Sequence, residues 1–304
     1  MNKLVLGILF LFITSSLYAK LDVIVSVLPQ KTFVEAIGGD KVNTHLMVLP
    51  GNSPHTYEPK PSQMKAISKA DIYFSIDVEF ENVWLPKFRS INKKMKVIDV
   101  DDGIEKIAIG EHEHDEHEEH HDEEKEHEHE EHHEQDKQEH HHHGGLDPHI
   151  WTSPDNVKTI AKNIYNALVQ YDKANKAYYT KNYKQFLNHI KKTDKTIQSI
   201  FKETKDGAKF MVFHPAWGYF AKQYHLEQFA IEVEGKNPKP KQIKYLIHEA
   251  KEEDVKAIFT APEFSQKVAK QIARELHIPV LKVSPLNPKW SQNLINLAKA
   301  IANK

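Results

Sequence analysis

The sequence predicts an α/β protein of two lobes, each with a mostly parallel sheet flanked by helices, joined by a long rigid backbone helix. Short continuous apolar runs rich in Val and Ile alternate with stretches of helical periodicity, as expected of strands buried on both faces. The alternation occurs twice, on either side of a helical stretch from about Lys173 to Phe201, ~40 Å long at 1.5 Å per residue. A chain of 304 residues has room for two domains of ~150 each.

In the first half, Asp22–Leu28 (DVIVSVL) reads as a strand closed by Pro29, and the helical pattern of Lys31–Ile37 stops at Gly38-Gly39. Thr44–Leu49, Ile72–Ile76 and Val97–Val100 read as further strands, with a helix at Ser62–Lys69. Residues 111–143 contain no apolar side chain, cannot bury area to offset the entropy of ordering, and are expected to be disordered at neutral pH. Ser153-Pro154 opens the next helix, with Ser at the cap and Pro in the first turn, and a break is expected near Tyr171–Asn175. Beyond the long helix, Phe210–Phe213, Gln228–Ile231, Ala257–Thr260 and Val280–Val283 are expected strands. Pro215–Tyr224, Pro240–Glu252, Ser265–Leu276 and Ser291–Ala302 are expected helices. The domain reading is an N-terminal lobe at 20–170 carrying the insertion at 111–143, a connecting helix at 171–204, and a C-terminal lobe at 205–304.

Cysteine is absent, which excludes disulfides, iron–sulfur clusters, thiolate zinc sites, thiol catalysis and a lipidated cysteine at the mature N-terminus. The net charge of −2 hides an asymmetry: sixteen acidic residues and two lysines give 111–143 a charge of −14, leaving +11 on the body once Lys3 is set apart. The body's lysines are scattered and only two arginines, Arg89 and Arg274, are present, so no nucleic-acid partner is expected. Residues 1–19 (MNKLVLGILFLFITSSLYA) read as a signal peptide: an early Lys3, a short apolar core from Leu4 to Ile13, and small residues up to a cleavage point after Ala19. The mature chain is therefore expected to be soluble and exported.

Histidine is the compositional outlier, with 21 residues, 13 of them within 111–143. Outside that segment, His189, His225 and His248 lie among polar residues of helical stretches, while His45 and His277 lack a liganding context. His55, His149 and His214 differ. Each sits in a stiff loop flanked by Pro and aromatic residues, His55 after a strand, His149 before a helix cap, His214 at a strand end. Open parallel sheets bind ligands beyond the carboxyl ends of their strands, so these three could converge in a cleft between the lobes. Taken singly, each more often serves as a hydrogen-bonded structural histidine, and it is their shared placement that raises the metal reading.

The loops PGNSPHTYEP (50–59), LDPHIW (146–151) and FHPAWGYF (213–220) resemble those of the metal-binding solute receptors of bacterial ABC importers, specifically the zinc-uptake branch. The resemblance covers essentially the whole mature chain, including an acidic His-rich insertion ahead of the second motif. It implies two lobes joined by a backbone helix, with Zn2+ as the transported ligand held between them by His55, His149 and His214. It also implies a monomeric receptor in the periplasm that delivers to the integral membrane permease of an ABC importer driven by a cytoplasmic ATPase. Manganese-preferring relatives replace the third His by Glu and supply an Asp from a Phe-Thr-Asp-type stretch. Here that stretch reads Phe259-Thr260-Ala261-Pro262-Glu263, so the fourth position falls to water, to Glu263 or to a histidine of the acidic segment, with water favoured.

Three imidazoles and an open position are a standard zinc arrangement, whereas manganese prefers oxygen donors. Each ligating imidazole needs an acceptor for its other ring nitrogen, and Glu58 and Asp147 lie nearest in sequence. Three alternatives stay open: a receptor for another divalent metal such as manganese, a zinc hydrolase using Glu58 or Glu263 as base, and a metal store. The store would be the acidic segment, whose His112, His114, His117, His120, His121, His127, His129, His132, His133, His140, His141, His142 and His143 form an accessory low-affinity metal loop. That loop collects or senses metal, or is a solvated charge run. Its two His-Glu-x-x-His matches, at 117–121 and 129–133, follow from composition, since His and Glu each fill 13 of 33 places.

Overall fold

The computed structural model describes residues 20–109, 145–232 and 236–303; the leader at 1–19 and the acidic segment at 111–143 lie outside the described residues. The first sheet is parallel in the order β2-β1-β3-β4, built from β1 (Leu21–Val25), β2 (Val42–Leu46), β3 (Ile72–Ser75) and β4 (Lys96–Asp99). The second repeats that order as β6-β5-β7-β8, from β5 (Ala208–Val212), β6 (Leu226–Ala230), β7 (Ile258–Thr260) and β8 (Val280–Lys282). β3 and β7 are buried along their whole length, as their unbroken apolar sequences require.

α1 (Leu28–Gly38) begins earlier than its periodicity suggests, because Pro29 occupies the first turn of a helix rather than ending a strand. It stops at Gly39, whose backbone is left-handed (φ 53°) and where a Cβ would collide with the Tyr178 hydroxyl, so only glycine fits. α2 spans Pro61–Ile67. α3 (Glu79–Ile91) has no counterpart among the expected helices: it carries Pro86 in its interior, which masks a helical pattern that buries Phe80, Glu81 and Phe88. α4 (Pro154–Tyr171) starts on a Ser153 hydroxyl that accepts from the Asn156 N–H at 3.3 Å. The second lobe's helices are α6 (Gly218–Gln223), α7 (Pro240–Glu252), α8 (Lys267–Leu276) and α9 (Trp290–Ile301).

The connecting helix, α5, runs from Lys176 to Phe201. Its buried stripe includes Tyr179, Phe186, Ile190, Ile197 and Phe201, packed with α1 and α4 on one side and α9 on the other. Asp194 on the same stripe accepts from the Tyr224 hydroxyl (3.0 Å) and from Gln223 (3.1 Å), tying the helix to α6. Lys176, Lys181, Lys184, Lys191, Lys192 and Lys195 occupy its solvent face.

One buried cluster runs through both sheets, from Val23, Ile24 and Phe74 to Phe210, Val212 and Phe259, while a second, smaller one lies between the second sheet and α7 and α8. The lobes are bolted together at two tryptophans. The Trp151 indole N–H donates to the Pro285 carbonyl (2.8 Å), the Trp290 indole N–H donates to the Trp151 carbonyl (2.7 Å), and Trp290 meets Phe33 edge-on at 5.6 Å. No helix among the described residues is long and apolar enough to cross a membrane.

Because the lobes share a core, far-UV circular dichroism and tryptophan fluorescence should report one coincident denaturant transition, with Trp290→Ala lowering stability by ~3–5 kcal/mol. Two separated transitions would show instead that the lobes fold independently.

Candidate metal centre

His55, His149 and His214 meet. Each presents one ring nitrogen to a common point, and these nitrogens all lie within 4.8 Å of one another. His214 is at the centre, its ring 5.3 Å from that of His55 and 5.2 Å from that of His149, both edge to face. His55 comes from the loop after β2, His149 from the turn before α4, and His214 from the residue pair beyond the carboxyl end of β5. The point where they face each other is therefore the crevice between the sheets.

In each case Nδ1 is occupied by a carboxylate: His55 by Glu79 at 2.8 Å, His149 by Asp147 at 2.8 Å, His214 by Glu232 at 2.6 Å. A carboxylate only accepts, so Nδ1 carries the proton, and in the neutral ring Nε2 keeps its lone pair for the crevice. The Nε2 of His214 is buried and makes no hydrogen bond within the protein, an orphaned acceptor that a cation would satisfy. Around a tetrahedral ion with nitrogen at ~2.0–2.1 Å, the nitrogens would sit ~3.4 Å apart. Nitrogens up to 4.8 Å apart lie at most ~2.8 Å from their midpoint, so each must move inward by less than ~1 Å.

The three partners differ in how firmly they are held. Asp147 is fully buried, accepts the His149 backbone N–H as well (2.8 Å), and its carbonyl accepts from the Tyr219 hydroxyl of α6 at 2.8 Å. Gly218 lies against it, since a Cβ there would stand 2.8 Å from Asp147 Oδ2. Glu232 follows β6 directly and falls beside His214 because β5 and β6 are paired in register, Val212 against Ala230. Phe264 stacks on the His214 ring at 4.6 Å. Burial holds the His214 pKa below the ordinary imidazole value, against the opposing pull of Glu232 and with the neighbouring His149 and His55 adding to the depression. The His55–Glu79 pair is the exposed one, with side chains 30% and 63% accessible.

The other candidates lie elsewhere. Glu263 is outside the cluster, its carboxylate accepting from the Ser284 hydroxyl at 3.0 Å. Glu58 is exposed, and the partner of His55 is Glu79 instead. His45 lies near Asp22 (3.5 Å) and His248 near Glu252 (3.4 Å), while His225 and His277 adopt left-handed backbone at turns. The thirteen histidines of the accessory loop lie outside the described residues, but the loop's two ends are closed together by the Ile109 N–H to the Gly145 carbonyl (3.1 Å), two residues from Asp147. Sequence reasoning missed Glu79, Glu232, Tyr219 and Phe264. The parallel register of β5 and β6 is a signal that reaches Glu232.

Three imidazole nitrogens facing one point, with anions behind them, are a donor set that could hold a divalent cation of borderline softness. Comparison with known proteins points the same way. Residues 23–304 match the family described as zinc-uptake complex component A, periplasmic (ZnuA). The chain is 31% identical over 261 residues to the high-affinity zinc uptake system protein ZnuA of Bacillus subtilis, a match that covers 84% of this chain and 76% of that protein. It is 28% identical over 257 residues to the manganese ABC transporter substrate-binding lipoprotein PsaA of Streptococcus anginosus, covering 80% of this chain and 73% of that one. A crystal structure of ZnuA superposes with a TM-score of 0.78 at 36% identity, covering 93% of this chain and 98% of its own. With a family match that leaves out only the first 22 residues, and with that architecture shared, the chain belongs to the periplasmic zinc-uptake component A family of solute-binding proteins.

Proposed function

We propose that this chain binds one zinc ion through the Nε2 atoms of His55, His149 and His214 and hands it to the membrane permease of an ABC importer. The observation that carries this reading is the threefold pairing of Nδ1 with a carboxylate, which leaves three lone pairs directed at one point. Zinc rather than manganese is supported by the all-nitrogen donor set and by Ala261 where a carboxylate ligand would stand. The fourth position belongs to water, because Glu263 is bound to Ser284. An open fourth position is the exchange route a carrier needs, and His55 is the most exposed of the three ligands.

The receptor works as an exported monomer with its leader removed after Ala19, without nucleic acid and without catalysis. A hydrolase would need a free general base at the ion, and the three carboxylates beside the cluster are each bound to an imidazole Nδ1. The accessory segment, with its charge of −14, collects divalent cations weakly.

Calorimetric titration with zinc tests these assignments. His214→Ala should abolish the tight site, Glu232→Gln should weaken it by ~10–100-fold, and deletion of 111–143 should remove only weaker sites. If the deletion takes away the tightest site while His214→Ala spares it, the protein is a metal store. Protons compete for the same Nε2 lone pairs, so affinity should fall by at least ~10-fold between pH 7.5 and 5.5. An affinity unchanged over that interval would exclude imidazole ligation.

A further inference from the structure

Glu81, two residues beyond the His55 partner Glu79, is a buried carboxylate, 4% accessible, outside the histidine cluster. A buried carboxylate is costly unless it is fully hydrogen-bonded, so its partners indicate what it is for. Its oxygens accept the backbone N–H groups of Ile76 (3.0 Å) and Asp77 (2.8 Å) and the Ser26 hydroxyl, and Ser26 Oγ in turn lies 2.6 Å from the Tyr73 hydroxyl. The Ser26 carbonyl accepts the Val48 N–H (2.9 Å), and Gln30 links the Ser26 N–H (2.8 Å) to the Phe74 carbonyl (2.8 Å). One polar knot thus joins the carboxyl ends of β1, β2 and β3 to the first turn of α3.

Two parts of the metal centre leave from this knot: the loop bearing His55, which begins just after Val48, and α3, whose first residue is Glu79. The turn between β3 and α3 is under tension, because Asp77 adopts a left-handed backbone (φ 58°) that a non-glycine residue occupies at a cost. Glu81 holds that turn from inside, and Lys106, which bridges Asp77 and Asp101, holds it from outside. His149 and His214 have buried partners, whereas His55 is fixed only through an exposed Glu79.

We propose that Glu81 is a positioning residue of the cation site: its carboxylate grips the turn that starts α3, α3 presents Glu79, and Glu79 orients His55. This rests on the reading of the three histidines as the zinc site. The ionised carboxylate makes charge-assisted bonds to the two amides, and protonation leaves neutral ones of about half the strength. The titratable groups around it are Tyr73 on β3 and Asp101 beyond β4, with Asp77, Asp99 and Asp102 lining the same cavity and Lys106 paired to Asp77 and Asp101. Burial, with a further push from Asp101 and against the hydrogen bonds from Ser26, Ile76 and Asp77, brings the Glu81 pKa up to about 7. Zinc binding favours the ionised form, and by reciprocity zinc should draw a proton from Glu81 near neutral pH.

Zinc titration of the exported chain in buffers of different ionisation enthalpy tests this. Glu81→Gln should weaken binding about three- to tenfold at pH 7.5 and release fewer protons per zinc at pH 7 than the unaltered protein. In a Glu79→Gln background, Glu81→Gln should cost nothing more, because its effect passes through Glu79. Unchanged affinity and proton release, or an equal loss with and without Glu79, overturns the proposal. If Glu81→Gln does not fold, Ser26→Ala, which removes one donor to the same carboxylate, takes its place in the cycle: a loss that vanishes without Glu79 supports the role, and an equal loss or none overturns it. His214→Ala measured alongside separates the two levels. Tight binding that survives it overturns the site itself, whereas binding lost there but untouched in Glu81→Gln overturns only the role of Glu81.

Discussion

The hydrogen bond from an imidazole Nδ1 to a carboxylate, made three times over, is the interaction on which the proposed cation site depends. It selects the tautomer, fixes the ring plane and places a negative charge behind each donor nitrogen. Without it a neutral histidine could present either nitrogen, and three rings would offer eight combinations of which one suits a single ion. Three anions behind three neutral donors also favour a doubly charged guest over none, so the arrangement is held ready for a cation by its own unbalanced charge.

These bonds are graded in strength by burial. Asp147 and Glu232 sit in low-dielectric surroundings, where a charge-assisted bond is strong and a missing partner would be expensive. Glu79 is in water and its bond to His55 is correspondingly weak. The same gradient that steadies two of the imidazoles leaves the third free to yield, which suits a molecule that must bind tightly and then let go. The continuous core and the Trp151–Trp290 pair tie the two lobes together behind the three imidazoles.

Most of the architecture was legible because it is written in local chemistry. Apolar β-branched runs marked the strands, Ser153-Pro154 opened α4, and the break before α5 fell where it was expected. Two places resisted for identifiable reasons. Pro29 reads as a strand terminator or as a first-turn helix residue, and tertiary packing chose the second. Pro86 hid α3 altogether, and with it Glu79 and Glu81, whose partners His55 and Ser26 lie far away in the chain and not at any helical spacing. Glu232 was within reach, since parallel pairing of β5 and β6 sets it beside His214.

What the sequence offered by itself was a candidate set of donors: no cysteine, and three histidines in Pro-flanked loops, whose ring nitrogens the fold brings within 4.8 Å of one another. What only the tertiary structure decided was which carboxylate stands behind which imidazole, and how deeply. His55 and Glu79 are separated by 24 residues, with nothing in the chain between them that marks the pairing, while His214 and Glu232, 18 apart, are linked only through the register of β5 with β6. Direction and burial are properties of the folded sheet edge, where strands from distant parts of the chain end side by side. A hydrogen bond to a ring nitrogen, unlike hydrophobic periodicity, leaves no trace until those ends are brought together.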